Sequence, residues 1–241
     1  MTDTPSRLAV LASGGGSNLQ SIIDHLDALG PSAPARVALV VSDRESAGAL
    51  ARARTHGILA EWLPRERDNE LAALLAEHRI THIALAGYLR LVPADVVASF
   101  RGRMLNVHPA LLPAFGGPGM YGHHVHEAVL RAGATVSGPT VHFVSEKYDE
   151  GMIIAQWRVP VHPDDTPSTL ATRVLAAEHF MYPRCIAAVC AGRTMLAADG
   201  TVSGIPTFHV DRASPSPLRT PLPSPHLACP PPCFPSPTNP A

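Results

Sequence analysis

The sequence predicts an α/β fold in which helices flank a mostly parallel, twisted sheet that carries an antiparallel extension at its C-terminal end. Two observations predict the parallel part. First, the strand-like segments of the first hundred residues are short and almost continuously apolar, which is the composition of strands covered on both faces. Second, segments of helical spacing alternate with them. A third observation predicts the extension: after residue 135, two strand-like segments are separated only by the turn-forming residues SEKYDEG.

The predicted elements follow each other as repeated strand–helix units. The strands are RLAVLAS (7–13), RVALVVSD (36–43), ILAEWLP (58–64), HIALAGYL (82–89) and MLNVHP (104–109). The helices between them are SNLQSIIDHLDAL (17–29), AGALARARTHG (47–57) and NELAALLAEHR (69–79). Later in the chain, Thr166 as N-cap and Pro167 in the first turn predict another helix. Pro183 is expected to kink or end that helix.

Composition excludes several classes of protein. The 19 basic and 20 acidic residues nearly cancel, which argues against nucleic-acid binding through bulk charge. No apolar run is long enough for a membrane helix, and the N-terminus does not resemble a signal peptide. The four cysteines form no Cys-x-x-Cys pair, so we expect a reducing cytoplasm and no zinc. A disulfide between Cys229 and Cys233 is the alternative.

The chain is predicted to consist of one domain, residues 1–205, and a tail, residues 206–241. From Ala213 onward the tail contains eleven of the 25 prolines and has neither helical nor strand periodicity. Such composition is typical of disorder. Protein binding through its PxxP-like segments is the alternative.

A glycine-rich turn lies between the first strand and the first helix, in LAVLASGGGSNLQSII. Glycine permits a sharp turn and a close ligand, and the N–H groups that begin a helix favour an anion. No Gly-Lys-Ser/Thr follows, which excludes a nucleoside triphosphate P-loop. Leu19 replaces the third glycine of a G-x-G-x-x-G, so a dinucleotide site that uses Asp43 is a weaker alternative than a single terminal phosphate. A tight turn with Ser17 as N-cap is the non-functional alternative.

Two polar side chains interrupt the apolar segment MLNVHPALLP. Asn106 and His108 are two residues apart, so they share one face of the predicted fifth strand. This strand should end at the edge of the sheet where parallel α/β proteins bind ligands. An amide can donate to an oxyanion, and an imidazole can transfer protons at neutral pH. Asp149 is the candidate that orients the imidazole, and a satisfied buried histidine is the alternative.

Five colinear segments resemble the phosphoribosylglycinamide formyltransferases, the folate-dependent glycinamide ribonucleotide transformylases of purine biosynthesis. They are SGGGSNLQSII (13–23), LAGYLRLVP (85–93), NVHPALLP (106–113), TVHFVSEKYDEGMII (140–154) and RVLAAEH (173–179). The resemblance extends from about residue 7 to residue 205. It implies a Rossmann-like fold and an enzyme that transfers the formyl group of 10-formyltetrahydrofolate, its co-substrate, to the amine of 5'-phosphoribosylglycinamide.

The resemblance also implies roles for residues at matching positions. The implied catalytic residues are Asn106, His108 and Asp149. The residues implied to bind the ribonucleotide are Gly15, Gly16, Ser17 and Asn18 at its phosphate and Glu178, otherwise an ordinary solvated helix residue, at its ribose. The residues implied to bind folate are Arg90, Leu91 and Val92, largely through backbone atoms, and the loop residues Ser145, Glu146, Lys147 and Tyr148.

The implied mechanism is direct attack of the glycinamide amine on the formyl carbon. Asn106 donates to the oxyanion, and His108, whose cationic form Asp149 favours, helps to stabilise it. Asp149 and an ordered water relay the proton of the amine toward the folate nitrogen. No metal is required. A monomer and a homodimer both agree with the sequence.

The segment AFGGPGMYGHHVHEAV (114–129) is expected to form a glycine-rich loop that is longer than in the family. It contains His123, His124 and His126. Contact of His124 and His126 with substrate is one reading of this cluster, and a metal site is another. The cluster has no acidic or cysteine partner at ligand spacing, so the metal site is the weaker reading.

Three related enzyme activities and one non-catalytic function are the alternatives. Methionyl-tRNA formyltransferase needs a tRNA-binding domain, which a proline-rich tail does not provide. A formyltetrahydrofolate deformylase or a sugar-nucleotide formyltransferase has no use for the GGGSN phosphate loop. A non-catalytic nucleotide-binding module, from a different class, explains the loop and the sheet. It does not explain why Asn106, His108 and Asp149 occur together with Arg90 and Glu178.

Overall fold

The computed structural model describes residues 4–206, and residues 207–241, with Cys229 and Cys233, lie outside the described part. The strands, in chain order, are β1 (Ser6–Leu11), β2 (Ala35–Ser42), β3 (Leu59–Trp62), β4 (His82–Leu85), β5 (Met104–His108), β6 (Val136–Ser137), β7 (Thr140–Phe143), β8 (Ile153–Gln156), β9 (Val159–Pro160), β10 (Met195–Leu196) and β11 (Val202–Ser203). The α-helices are α1 (Ser17–Ala28), α2 (Gly48–Thr55), α3 (Leu71–Glu77), α4 (Ala94–Ser99), α5 (His123–Arg131) and α6 (Pro167–Cys190). Two 3-10 turns lie at Gly30–Ser32 and Arg65–Glu70.

The main sheet has the order β3-β2-β1-β4-β5-β7-β8. The first five of these strands are parallel, whereas β7 is antiparallel to both β5 and β8. The prediction of a parallel sheet with an antiparallel extension is therefore confirmed. The strand order changes direction beside β1, and the carboxyl ends of β1, β4 and β5 meet at one edge, where open α/β sheets bind ligands.

The core lies on both faces of the sheet. Along β1, Leu8 and Val10 pack in a cluster with α1, α2 and α6, whereas Ala9 and Leu11 pack in a second cluster with α3 and α4. Successive strand residues point to opposite faces. A strand segment with both faces covered is therefore apolar at every position, as residues 8–12 (LAVLA) are.

Four local predictions were wrong or incomplete. Pro183 does not end α6, which continues to Cys190; Thr166 does cap this helix as predicted, in a reciprocal pair with Thr169. The N-cap of α1 is Gly16 rather than Ser17. The fourth strand ends at Leu85, and Gly87, Tyr88 and Leu89 after it line a cleft.

The fourth difference concerns the segment 114–129, which is a loop only in its first half. Its second half begins helix α5 at His123. The reason is visible in the sequence: Val125 and Val129 are four residues apart and are both fully buried, the spacing of an amphipathic helix.

Candidate active site

A cleft with a volume of about 440 Å³ opens at the carboxyl ends of β4 and β5. This volume lies in the range of small-ligand sites. Its lining includes Asn106 and His108 of β5, the exposed apolar side chains of Leu91 and Tyr148, and Asn18 of α1. The cleft thus joins the end of the glycine loop to the polar pair of β5.

The structure brings the three predicted catalytic side chains together. Asp149 Oδ2 lies 3.4 Å from His108 Nδ1, and Asp149 Oδ1 lies 3.5 Å from Asn106 Nδ2. The side chains of His108 and Asp149 are only 4% and 9% exposed. Charges in such a site are weakly screened, so this constellation can act strongly on a reacting group.

The other ring nitrogen of His108 contacts the loop that follows β5. Nε2 lies 2.7 Å from the carbonyl oxygen of Phe115, and a carbonyl oxygen only accepts, so Nε2 carries a hydrogen. Burial lowers the pKa of His108, and this effect outweighs Asp149 and the Phe115 carbonyl, which both raise it. Asp149 thus favours the cationic form of His108, as expected, but burial favours the neutral form more strongly.

Asp149 is held by several contacts in a turn conformation that aspartate tolerates. Its backbone has φ +56°, a left-handed conformation in which Asp and Asn are enriched. Its Oδ2 accepts from the N–H of Gly117 at 2.9 Å. Burial raises the pKa of this carboxyl, but His142, His108 and the Gly117 N–H together lower it more. Asp149 is therefore ionised at neutral pH.

His142 is a buried member of the site that the sequence analysis missed. The antiparallel register of β5 and β7 pairs Asn106 with His142. His142 Nε2 lies 3.1 Å from Asn106 Nδ2 and 3.7 Å from Asp149 Oδ1, and its Nδ1 lies 2.9 Å from the Phe143 carbonyl. Because that carbonyl only accepts, Nδ1 carries a hydrogen, and Nε2 is the ring atom that faces Asn106 and Asp149. Only the strand register could have found this residue.

Asn18 and Glu178 meet at the end of the cleft, although they are 160 residues apart. Asn18 Nδ2 donates to Glu178 Oε2 at 2.6 Å. Glu178 is 7% exposed, so its description as an ordinary solvated residue is wrong. Burial raises the pKa of Glu178 to about 7, although the hydrogen bond from Asn18 lowers it. Asn18 Oδ1 is buried and has no partner within the described residues.

The pKa of Glu178 predicts a pH-dependent effect of Glu178→Gln on stability. The ordinary pKa of a glutamate is 4.5, whereas that of Glu178 in the folded protein is about 7. Between these two pH values the folded state holds a proton that the unfolded state releases. Glu178 therefore lowers the free energy of unfolding as the pH rises. We expect the variant to be more stable than the wild type by about 3 kcal/mol at pH 8 and to match it near pH 4.

Urea unfolding at the two pH values measures this difference. The exposed Glu77 provides the control, since Glu77→Gln should not change the free energy of unfolding at either pH by more than about 0.5 kcal/mol. A Glu178→Gln variant that is less stable than the wild type at pH 8 would contradict the raised pKa.

The residues implied to bind folate lie along the cleft, except for Glu146. Those that line it are Arg90, Leu91, Val92, Ser145, Lys147 and Tyr148. The guanidinium of Arg90 forms an ion pair with Asp68 and donates to the Leu63 carbonyl at 3.3 Å. Because this side chain is already occupied, the expected contact of Arg90 with a ligand through its backbone stays a prediction. Glu146 is exposed and does not line the cleft.

The three histidines of the segment 114–129 occupy different environments. His123 and His126 line the cleft, whereas His124 lies on the surface, 3.8 Å from Glu127. Burial lowers the pKa of His126 to about 4, and His123 and His108 lower it as well. His126 is therefore neutral at pH 7. Contact of these side chains with substrate stays a prediction.

Two kinds of feature are absent from the described part of the chain. Residues 4–206 contain no group of three or more His, Cys, Asp or Glu side chains arranged to hold a metal ion. In the same range, no helix is both long enough and apolar enough to cross a lipid bilayer.

Comparison with known proteins identifies the family. Residues 6–186 match the family model described as formyl transferase. The chloroplastic phosphoribosylglycinamide formyltransferase of Arabidopsis thaliana is 44% identical over 80% of this chain and 68% of its own length. The trifunctional purine biosynthetic protein adenosine-3 of Homo sapiens is 38% identical over 82% of this chain, which spans 20% of that protein.

A solved structure agrees with these sequence matches. The crystal structure of glycinamide ribonucleotide transformylase 1 from Symbiobacterium toebii is 39% identical and superimposes with a TM-score of 0.76, over 84% of this chain and 95% of that one. Fold, cleft and sequence therefore agree, and this chain belongs to the formyl transferase family and, within it, to the phosphoribosylglycinamide formyltransferases.

Proposed function

We propose that this chain transfers the formyl group of 10-formyltetrahydrofolate to the amine of 5'-phosphoribosylglycinamide, which gives formylglycinamide ribonucleotide and tetrahydrofolate. The observation that carries the proposal is the contact of Asn106, His108 and Asp149 in one cleft. The same cleft reaches Asn18, at the start of the helix that follows the glycine loop. The ribonucleotide and the folate can therefore both approach the polar cluster.

The cleft accommodates the two substrates in different regions. We assign the phosphate to Gly15, Gly16, Ser17 and Asn18, and the ribose to Glu178. This assignment is supported by the helix N-terminus, which favours an anion, and by the Asn18–Glu178 hydrogen bond. We assign the folate to the region between Leu91 and Tyr148, which are 52% and 42% exposed. Exposed apolar side chains facing a cleft are suited to an aromatic ligand.

In the proposed reaction the amine attacks the formyl carbon. A new C–N bond forms while the carbonyl oxygen becomes an oxyanion, to which Asn106 Nδ2 donates. The Nε2–H of His108 also donates to the oxyanion. To do so, it breaks its hydrogen bond to the Phe115 carbonyl. Asp149 accepts a proton of the amine and returns it, through a water, to the folate nitrogen as the C–N bond to that nitrogen breaks. This mechanism needs no metal.

The test is a formyl-transfer assay with and without the ribonucleotide. Purified protein and 10-formyltetrahydrofolate are mixed, and the loss of the formyl group is followed by absorbance. We expect turnover only when 5'-phosphoribosylglycinamide is present. Turnover without the ribonucleotide would indicate a formyltetrahydrofolate deformylase instead. A folded sample that shows no turnover with either mixture would favour another acceptor or a nucleotide-binding module.

We also propose a domain boundary near residue 205 and a cytoplasmic location. The boundary is supported by the end of the last strand pair at Ser203.

The cytoplasmic location is supported by Cys185 and Cys190, which are free thiols. The Arabidopsis relative is named as chloroplastic. All the side chains assigned to the site belong to one chain, so a homodimer and a monomer both agree with it.

A further inference from the structure

Helix α2 holds the glycine loop, residues 14–16, from one side. The N–H of Ala49 donates to the carbonyl of Gly14 at 3.1 Å, and Nε of Arg52 donates to the carbonyl of Gly15 at 2.8 Å. Two successive carbonyls of the loop thus point toward α2. Nη1 of Arg52 also lies 3.3 Å from Oε1 of Gln20, so this side chain links the loop, α1 and α2.

The direction of these carbonyls determines the direction of the N–H groups of the loop. The C=O and N–H of a trans peptide point in opposite directions, and the peptides of the loop are trans. The N–H groups of Gly15 and Gly16 therefore point away from α2. Within residues 4–206, neither N–H has a hydrogen-bond acceptor. They are the donors that a phosphate at the start of α1 would use.

The loop and α2 are also in direct backbone contact. A Cβ at Gly16, whose φ is +76°, would lie 2.8 Å from Cα of Ala49, and a Cβ at Gly48 would lie 3.1 Å from Cα of Gly15. Side chains at these two positions would force α2 and the loop apart. The close approach brings Arg52, one turn further along α2, within reach of Gly15.

We propose that Arg52 is a positioning residue for the phosphate of the ribonucleotide. Its bond to the Gly15 carbonyl orients the Gly15–Gly16 peptide so that the Gly16 N–H faces the anion. Its guanidinium also brings a positive charge into contact with the loop, which favours a phosphate dianion. This inference rests on the proposed function and adds a residue outside the five segments on which the resemblance is based.

The first test compares the steady-state kinetics of Arg52→Ala and Arg54→Ala. Both variants lose one positive charge from α2, but the Arg54 side chain makes no hydrogen bond or ion pair in the described part of the chain. We expect Arg52→Ala to raise the KM for 5'-phosphoribosylglycinamide about tenfold, since it removes a hydrogen bond from a charged donor. Its kcat and its KM for 10-formyltetrahydrofolate should stay within about twofold of wild type, as should all constants of Arg54→Ala.

A second readout does not depend on formyl transfer. Ribose 5-phosphate should raise the thermal unfolding temperature of the wild type and Arg54→Ala more than that of Arg52→Ala, and Arg52→Lys, which keeps the charge and a donor, should recover part of the increase. If this pattern holds while the wild type transfers no formyl group, the proposed reaction fails and the role of Arg52 stands.

Three results would overturn the role of Arg52. The first is equal behaviour of Arg52→Ala and Arg54→Ala in both experiments. The second is a parallel rise in the KM of both substrates together with a lower unfolding temperature, which would indicate general loss of structure. The third is a wild-type protein that ribose 5-phosphate does not stabilise.

Discussion

Replacing Asn106 by Ala is expected to lower the kcat of formyl transfer by a factor of about 10²–10³, the cost of removing one donor from an oxyanion site. The side chain is well placed for this role. Its Nδ2 lies 3.1 Å from His142 Nε2 and donates to Asp149 Oδ1 over a longer distance of 3.5 Å. Because the contact with Asp149 is long, it is weak, and this N–H is the one that is available to an oxyanion.

The change should appear in kcat rather than in KM, because the oxyanion exists only in the transition state. Asn69→Ala, the same substitution at an exposed position outside the cleft, should keep normal kinetics. Circular dichroism and thermal unfolding establish that both variants are folded. A folded Asn106→Ala protein with a near-normal rate would exclude Asn106 as an oxyanion donor.

Replacing Asp149 by Asn is expected to lower kcat by a factor of about 10²–10⁴, the usual contribution of a general acid–base group. The amide has nearly the shape of the carboxylate, and its oxygen can still accept from the Gly117 N–H. It cannot take up the proton of the attacking amine. Asp164→Asn, at an exposed position, removes the same charge outside the site and should be active.

The same substitution has a spectroscopic consequence with a definite sign. Asp149 raises the pKa of His108, against the larger lowering by burial. Removing the carboxylate should therefore lower the pKa of His108 further, which an NMR titration of its imidazole protons can follow. A His108 pKa that is unchanged or higher in Asp149→Asn would mean that the 3.4 Å contact does not persist in solution.

Features that depend on local sequence were predictable. The central parallel strands β1 and β4 have successive apolar residues because both of their faces are covered, and Thr166 and Pro167 begin α6 through a local capping pattern. The Asn-x-His pair could be assigned to one face of β5 because a strand repeats every two residues. Pro183 was misjudged because the ends of a long helix depend on its packing: this proline is buried within α6, and the core around it holds the helix together.

The sequence by itself therefore determined the class of the sheet, the glycine turn and the polar pair of β5, because these are encoded over a few neighbouring residues. The tertiary structure decided which distant groups share the cleft. The strand register places His142 beside Asn106, and the packing of α6 brings Glu178 within hydrogen-bond distance of Asn18. It also decided their protonation, since burial outweighs Asp149 at His108 and raises the pKa of Glu178. The physical reason is that desolvation depends on every atom that surrounds a group, and the fold alone brings those atoms together.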